Sequence, residues 1–384
     1  MQRRHAMGTL LGCAAALVAL PRSARANQPA ALADAVWPGW ATFKSQFVSP
    51  GGRVVDNNTE RRHTVSEGQA YALFFALVAN DRAGFESVLR WTEDNLCQGD
   101  LSAHLPAWQW GQQDDDQWGV LDPNSASDAD LWLAYTLGEA GRLWNVRRYS
   151  ALSSLVSARV LRDETAELPG LGLTVLPGPH GFALGAGRWR LNASYVPPQV
   201  MQWLAHQGEH SAAWKRLLES AHRLILGSAP HGFAADWIVY DAARGFLPDG
   251  DGADKGQGSY DAIRVYLWAG TLHPDAPQRA DLLRALQPMA LQVRRTGQVP
   301  EAIDILSGQG FRAGPPGFVA ALLPFLQAQR DNTGLQQLRA RLQAEPPRTD
   351  IYYEQALALF AQGWMEGHYR YGVDGHLQPR WSQP

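Results

Sequence analysis

Thr64-Val65-Ser66-Glu67-Gly68-Gln69-Ala70-Tyr71 runs directly into the apolar segment Ala72-Leu73-Phe74-Phe75-Ala76-Leu77-Val78-Ala79. A helix over 66–79 has no polar face, so the turns behind Glu67 must be buried nearly all round. A carboxylate that opens such a helix has no ordinary solvent role. The simplest reading makes Ser66 an N-cap and lets Glu67 favour the positive end of the helix dipole. The arrangement recurs, however, with Asp128 opening an apolar helix at 128–141 and Asp261 another at 259–270. Either could be a cap, Asp128 with Asp130 in the first turn and Asp261 with Arg264 three residues on. Three acids at the heads of buried helices are more than capping requires.

The hydrophobic period predicts twelve helical segments, near 34–47, 66–79, 83–97, 128–141, 146–161, 197–207, 211–226, 259–270, 276–291, 316–329, 333–343 and 352–363. Those at 83–97, 146–161, 211–226, 276–291 and 333–343 carry charge on one face, as in Trp214-Lys215-Arg216-Leu217-Leu218-Glu219. Their partners are apolar nearly throughout, as in Ala262-Ile263-Arg264-Val265-Tyr266-Leu267-Trp268-Ala269. An outer ring with one wet face around an inner ring buried on both sides produces this alternation. The expected fold is therefore all-α, an (α/α)6 barrel of six helical hairpins. All inner helices then run in one direction, and their N-termini gather at one rim with the three acids.

The loops leading into that rim, 98–127, 162–196, 227–258 and 292–315, are long enough to form the walls of a cleft. Within them 171–176 and 234–240 read as short strands bounded by Gly and Pro. Tyr195-Val196-Pro197-Pro198 and Gly314-Pro315-Pro316-Gly317 enter two more inner helices with Pro at the first turn, where its missing N–H matters least. Trp108, Trp110, Trp118 and Tyr195 are the expected aromatic lining, whereas Trp132 and Trp268, on inner helices, are expected in the core. Asp114-Asp115-Asp116, beside Gln112, Gln113 and Gln117, reads as a solvated turn, because consecutive acids rarely converge on one metal ion.

Residues 1–26 show Arg3-Arg4, an apolar run from Met7 to Leu20, and Ala24-Arg25-Ala26, the pattern of a secretory signal cleaved near Ala26. Arg3-Arg4 also fits a twin-arginine signal and Leu11-Gly12-Cys13 a lipoprotein one, although lipidation at Cys13 leaves little apolar run before it. The expected product, a single domain over 27–384, is periplasmic or secreted and has no membrane span. Cleavage removes four Arg and no acid, so the formal charge moves from −3 to −7, which is unsuited to nucleic acid. Only Cys97 remains of two cysteines, so burial alone must hold the domain. The 15 Trp, 11 Tyr and 12 Phe are core material for the most part, but flat aromatic faces also suit sugar rings.

Four stretches, Val65-Ser66-Glu67-Gly68-Gln69-Ala70-Tyr71, Asn124-Ser125-Ala126-Ser127-Asp128-Ala129-Asp130-Leu131-Trp132-Leu133-Ala134-Tyr135, Leu191-Asn192-Ala193-Ser194-Tyr195-Val196-Pro197-Pro198 and Ser259-Tyr260-Asp261-Ala262-Ile263-Arg264-Val265-Tyr266, resemble glycoside hydrolase family 8. The resemblance extends from about Trp37 to Trp381, and its branch is that of bacterial cellulose synthesis operons. It implies an (α/α)6 barrel and inverting hydrolysis of internal bonds in β-1,4-glucan, with no cofactor and no metal. It also implies Glu67 as acid, Asp261 as base and Asp128 at the subsite where the sugar distorts, the two Asp roles being less firm than the residues. Tyr195, Tyr260, Arg264, Asn192, Trp108, Trp110 and Trp118 are the expected substrate-binding set. The implied partners are a cellulose chain and the cellulose synthase and export machinery. Leu133 and Thr136 depart conservatively from the family pattern.

The residues agree with that chemistry. Hydrolysis of a glycoside needs one protonated carboxyl for the leaving oxygen and one ionised carboxylate on the other side. Glu67, against an apolar helix, is where desolvation would hold a proton, and Arg264 would keep Asp261 ionised. Glu67 and Asp261 are expected across the mouth from one another, Asp128 nearer to Glu67. Two other readings remain: a xylanase, chitosanase or lyase on the same barrel, and a non-catalytic glucan-binding or export module.

Overall fold

The six most apolar segments become six helices with almost no wet face. In the computed structural model, which describes residues 37–383 apart from 60, 61, 115, 209 and 251–255, they are α2 (Ser66–Val78), α4 (Ser127–Trp144), α6 (Pro198–Ala205), α8 (Ala262–Thr271), α11 (Pro316–Ala328) and α13 (Tyr352–Met365). Around them lie α1 (Pro38–Phe47), α3 (Arg82–Leu96), α5 (Arg147–Asp163), α7 (Ser211–Gly227), α9 (Arg279–Ala285), α10 (Gln287–Thr296) and α12 (Asn332–Ala344). Each inner helix packs on the next, from α2 through α4, α6, α8 and α11 to α13. Phe360 of α13 closes the ring against Tyr71 and Phe74 of α2, with ring centroids 4.8 and 5.3 Å apart. The outer helices lie on the inner ones, α1 on α13, α3 on α2, α5 on α4, α7 on α6, α9 on α8 and α12 on α11. The fold is an (α/α)6 barrel.

One expected helix differs. The segment 276–291 is broken at Leu286 into α9 and α10, because Pro288 has no N–H to continue the first helix and fits the opening turn of the second. The expected signal sequence, with cleavage near Ala26, lies outside the described residues. Among the described residues, no helix is long and apolar enough to cross a membrane.

Aromatic rings fill the barrel axis. Trp132 and Trp268, buried as expected, lie 5.2 Å apart, and each meets Phe360 at 5.2 and 5.1 Å. Phe74 adds a contact of 5.1 Å to Trp132. Such pairs contribute about 0.5–1.5 kcal/mol each beyond their area burial, so the plug is a rigid floor for whatever stands above it. Gly270 lets α8 and α11 approach closely, since a Cβ there would lie 2.3 Å from the backbone nitrogen of Phe325.

Short antiparallel sheets occupy the long loops. Thr64–Val65 pairs with Gln109–Gln112, which pairs with Trp118–Asp122. Ala183–Gly185, Arg188–Leu191, Ile238–Asp241 and Gly245–Pro248 form a four-stranded sheet in that order. Gln257–Gly258 pairs with Pro300–Asp304, and that with Gly310–Ala313. These sheets lead straight into α2, α6, α8 and α11, so they fix the heads of four inner helices. Of the two expected strands, 171–176 forms over Gly172–Val175. The other, 234–240, is a strand only from Ile238, because Ala234 to Asp236 turn their amides to other partners.

Candidate active site

None of the three acids makes an N-cap bond to its own helix, although Asp128 Oδ1 accepts the first-turn amide of Ala129 at 2.8 Å. The N-cap positions of α2 and α4 are Val65 and Ala126, and Asp261, at that position of α8, makes no side-chain cap bond. Ser66 is the first helical residue rather than a cap, and its buried hydroxyl has no hydrogen-bond partner. The three carboxyl groups turn instead to one guanidinium. Arg264 Nη1 lies 2.7 Å from Glu67 Oε2 and 3.2 Å from Asp128 Oδ2, while Nη2 lies 2.6 Å from Asp261 Oδ1. Nη2 also donates to Ser194 Oγ at 3.0 Å and Nη1 to the Tyr71 hydroxyl at 3.2 Å. Tyr71 stands edge-on to Trp132 and Phe360, so the guanidinium rests on the aromatic floor.

The shared cation limits how far apart the acids can stand. Through the rigid fork of one guanidinium, Glu67 Oε2 and Asp261 Oδ1 are at most about 8 Å apart, and Glu67 Oε2 and Asp128 Oδ2, sharing one nitrogen, at most about 6 Å. The side chain of Arg264 is 2% exposed and that of Asp128 3%, against 19% for Glu67 and 26% for Asp261, so two of the acids reach the surface and the cation does not. Arg264 and Asn192, expected as sugar contacts, both bond to the acids. Asn192 Nδ2 donates to Asp261 Oδ2 at 3.0 Å, and its Oδ1 accepts from the amide and hydroxyl of Ser194. Both residues are committed to holding the acids.

The electrostatics also correct an expectation. Arg264 does draw Asp261 toward its ionised form, but burial outweighs it and the charge of Glu67 adds to burial, so the Asp261 carboxyl is raised above its ordinary value. Asp128 is raised further, by burial first and then by Glu67, against the pull of Arg264. Three carboxyls around one cation cannot all ionise without leaving two negative charges uncompensated in a half-buried site. The cluster titrates as a unit. Glu67, expected against an apolar helix, also has the guanidinium 2.7 Å away.

Aromatic rings flank the acids. Trp118 is stacked on Trp110 at 5.4 Å, and the Arg53 guanidinium sits 4.3 Å from the Trp110 ring. Trp110 is thereby covered, whereas Trp118 is 44% exposed. The backbone of Trp108 accepts from Ser66 N and donates to Asn124 O, which ties the heads of α2 and α4. Tyr260 is 49% exposed beside Phe318 and Tyr353, on the other side of Asp261 from its helix. Tyr195 lies over the site, its ring 5.7 Å from Arg264 Cζ.

The sequence reading missed Tyr71, Ser194, Asp236, Trp237 and Tyr353. Trp237 lies between Phe182, stacked at 5.9 Å, and Arg190 at 4.3 Å, and it touches Tyr195. Ser194 was within reach, because it belongs to the same short motif as Asn192. Tyr71 was within reach too, four residues after Glu67 on the same helix, whereas Asp236, Trp237 and Tyr353 come from elements whose meeting no local spacing announces. Among the described residues no group of His, Cys, Asp and Glu could hold a metal ion. Asp114 and Asp116 lie exposed at the 112–118 hairpin turn, where Gln112 donates to Asp116 at 2.9 Å.

A carboxyl cluster on one guanidinium with aromatic rings beside it is the equipment of an enzyme that cleaves carbohydrate. The model of glycosyl hydrolases family 8 matches residues 18–367. An endoglucanase of Salmonella typhi is 47% identical over 90% of this chain and 92% of its own length. An endoglucanase of Xanthomonas axonopodis pv. citri is 43% identical over 100% of this chain and 98% of its own. The crystal structure of an endo-1,4-D-glucanase from Vibrio fischeri ES114 superposes with a TM-score of 0.86 at 43% identity, covering 90% of this chain and 100% of that one. The chain belongs to glycosyl hydrolases family 8.

Proposed function

We propose that this glycoside hydrolase is an endo-β-1,4-glucanase that cleaves internal bonds of cellulose with inversion. The observation that carries this reading is the meeting of Glu67, Asp128 and Asp261 on Arg264, with Tyr195 over the cation and Tyr260 exposed next to Asp261. The names of the relatives support the substrate class. Glu67 is the general acid. It gives its proton to the glycosidic oxygen as the bond from that oxygen to the anomeric carbon breaks. Asp261 takes a proton from a water that attacks the anomeric carbon from the opposite face, and the product is the α-anomer. The separation, at most about 8 Å, is compatible with the roughly 6.5–9.5 Å of inverting pairs, which hold a water between acid and base. Asp128 stabilises the charge that develops on the distorted sugar ring. No cofactor enters this scheme. The protein acts after export, its mature chain from Asn27 forming one catalytic domain that is accessory to cellulose biosynthesis.

One observation favours a second reading. Asp128 shares Nη1 of Arg264 with Glu67, and a carboxylate at about 5–5.5 Å from the acid would suit a covalent nucleophile. Proton NMR of a fresh cellopentaose hydrolysate separates the two. An initial α-anomer fits water activated by Asp261, and an initial β-anomer moves the nucleophile to Asp128. Glu67→Gln, which removes proton donation only, should lose at least about 100-fold in kcat while still binding substrate. Retained hydrolysis in that variant refutes the assignment of the acid.

A further inference from the structure

Asp261 stands where a helix normally needs a cap, yet its carboxyl is turned away to Arg264 and Asn192. The amides at the head of α8 are satisfied from elsewhere. Asp236 Oδ1, from the loop after α7, accepts the N–H groups of Ser259, Asp261 and Ala262 at 2.8, 3.0 and 2.7 Å. One buried oxygen thus holds the backbone on both sides of the Asp261 side chain, including the amide of Asp261 itself.

The mount of Asp236 is equally constrained. Its own N–H donates to Gln257 O, the N–H of Ala235 to Ser228 O, and that of Ala234 to the hydroxyl of Tyr266, five residues behind Asp261 on α8. A Cβ on Gly258 would lie 1.9 Å from the carbonyl oxygen of Ala234, so the two backbone segments approach closely. Asp236 can therefore move only if the head of α8 moves with it. The free amides of a helix start are ordinarily capped by the residue at that place. Here the duty has passed to a second acid, and the residue at the head is released to face the cleft.

We propose that Asp236 is a positioning residue for Asp261: it caps α8 in its place and thereby sets the direction and reach of the carboxylate that activates water. This rests on the reading of Asp261 as the base. Burial and the nearby Asp261 push the Asp236 carboxyl up to about 7. Protonated or not, its Oδ1 remains an acceptor, and an Asn carbonyl at the same place would be one too.

The test uses the full-length enzyme on a soluble cello-oligosaccharide, with kcat and KM measured for Asp236→Ala, Asp236→Asn, Tyr266→Phe and Asp261→Asn. Asp236→Ala should lower kcat by on the order of 10- to 100-fold, as a small displacement of a reacting group does, with KM within about twofold of wild type because no sugar contact is lost. Asp236→Asn should restore kcat to within about threefold of wild type, which a loss of charge or of general stability would not allow. Tyr266→Phe, which loosens the mount and leaves the carboxyl, should fall between the two and carries the test if the Ala variant does not fold. The proposal is overturned by an Ala or Phe variant with wild-type kcat, by an Asn variant as slow as the Ala one, or by a change confined to KM. An Asp261→Asn enzyme that stays active would instead remove the reading of Asp261 on which the proposal stands.

Discussion

Replacing Arg264 by Met tests the centre of the site, because it removes the charge on which three carboxyls converge and keeps a side chain of similar length. Arg264 is buried, as is Asp128, so the variant leaves acids in the site with no counter-charge. Breaking a buried pair in this way costs about 3–5 kcal/mol. With an unfolding entropy of about 2.1 cal/mol/K per residue, some 350 residues give roughly 0.7 kcal/mol/K, so Tm should fall by about 4–7 °C at pH 7. The pH dependence has a definite sign. Asp128 and Asp261 are raised in the folded protein, so their contribution to stability is fully present below the ordinary carboxylate range and is lost as pH rises through the raised values. Arg264 pulls both downward, and without it they rise further. The Tm gap between wild type and Arg264→Met should therefore be small near pH 4 and widen toward pH 8. Differential scanning calorimetry at a series of pH values measures it. A gap that is constant, or largest in acid, would refute the view that Arg264 serves to hold these three carboxyls.

Two further outcomes follow from exposed and buried groups respectively. Trp118→Ala and Tyr260→Ala should each weaken binding of cellohexaose by about 2- to 10-fold, the equivalent of one aromatic contact of 0.5–1.5 kcal/mol, while binding of cellobiose changes little. Isothermal titration on the Glu67→Gln background measures this, and unchanged affinity in both variants removes the aromatic platforms from the cleft. At the other end of the barrel, the buried carboxylate of Glu139 accepts from Arg142, from Trp203 Nε1 at 2.7 Å and from Leu377 N at 2.7 Å, with His376 Nδ1 at 2.8 Å. The hydrogen bond to Glu139 raises His376, so the stability from its charge is complete below the ordinary histidine value and lost as pH rises through the raised one. His376→Ala should lower Tm more at pH 5.5 than at pH 9, by a bond of about 1.5–3 kcal/mol, and an equal deficit at both would exclude the ion pair.

The barrel was legible because it rests on local physics. Helices such as α2 and α11 have no polar face, their outer partners have one, and an alternation of that kind has few solutions other than two concentric rings. The gathering of Glu67, Asp128 and Asp261 at one rim followed from the common direction of the inner helices. The break at Pro288 could also have been read, since proline at an opening turn is a signal in its own right.

The order within the rim depended on what lies far apart in the chain. The spacing of Asp261 and Arg264 suggested a pair on one helix, and that pair exists, but nothing local indicates that the same guanidinium takes Glu67 and Asp128 from two other helices. Burial had the same character. Arg264 was expected to keep Asp261 ionised, and only packing against α2, α4 and the 192–195 turn makes desolvation the larger effect. Asp236 is the clearest case. In sequence it sits in a run that reads as a strand, 25 residues before the amide it holds. Periodicity reports which face of an element is dry, so the fold was determined by the sequence alone. Which carboxyls share a cation, and which oxygen caps a helix, is decided by contacts between elements, and these exist only once the ring has closed.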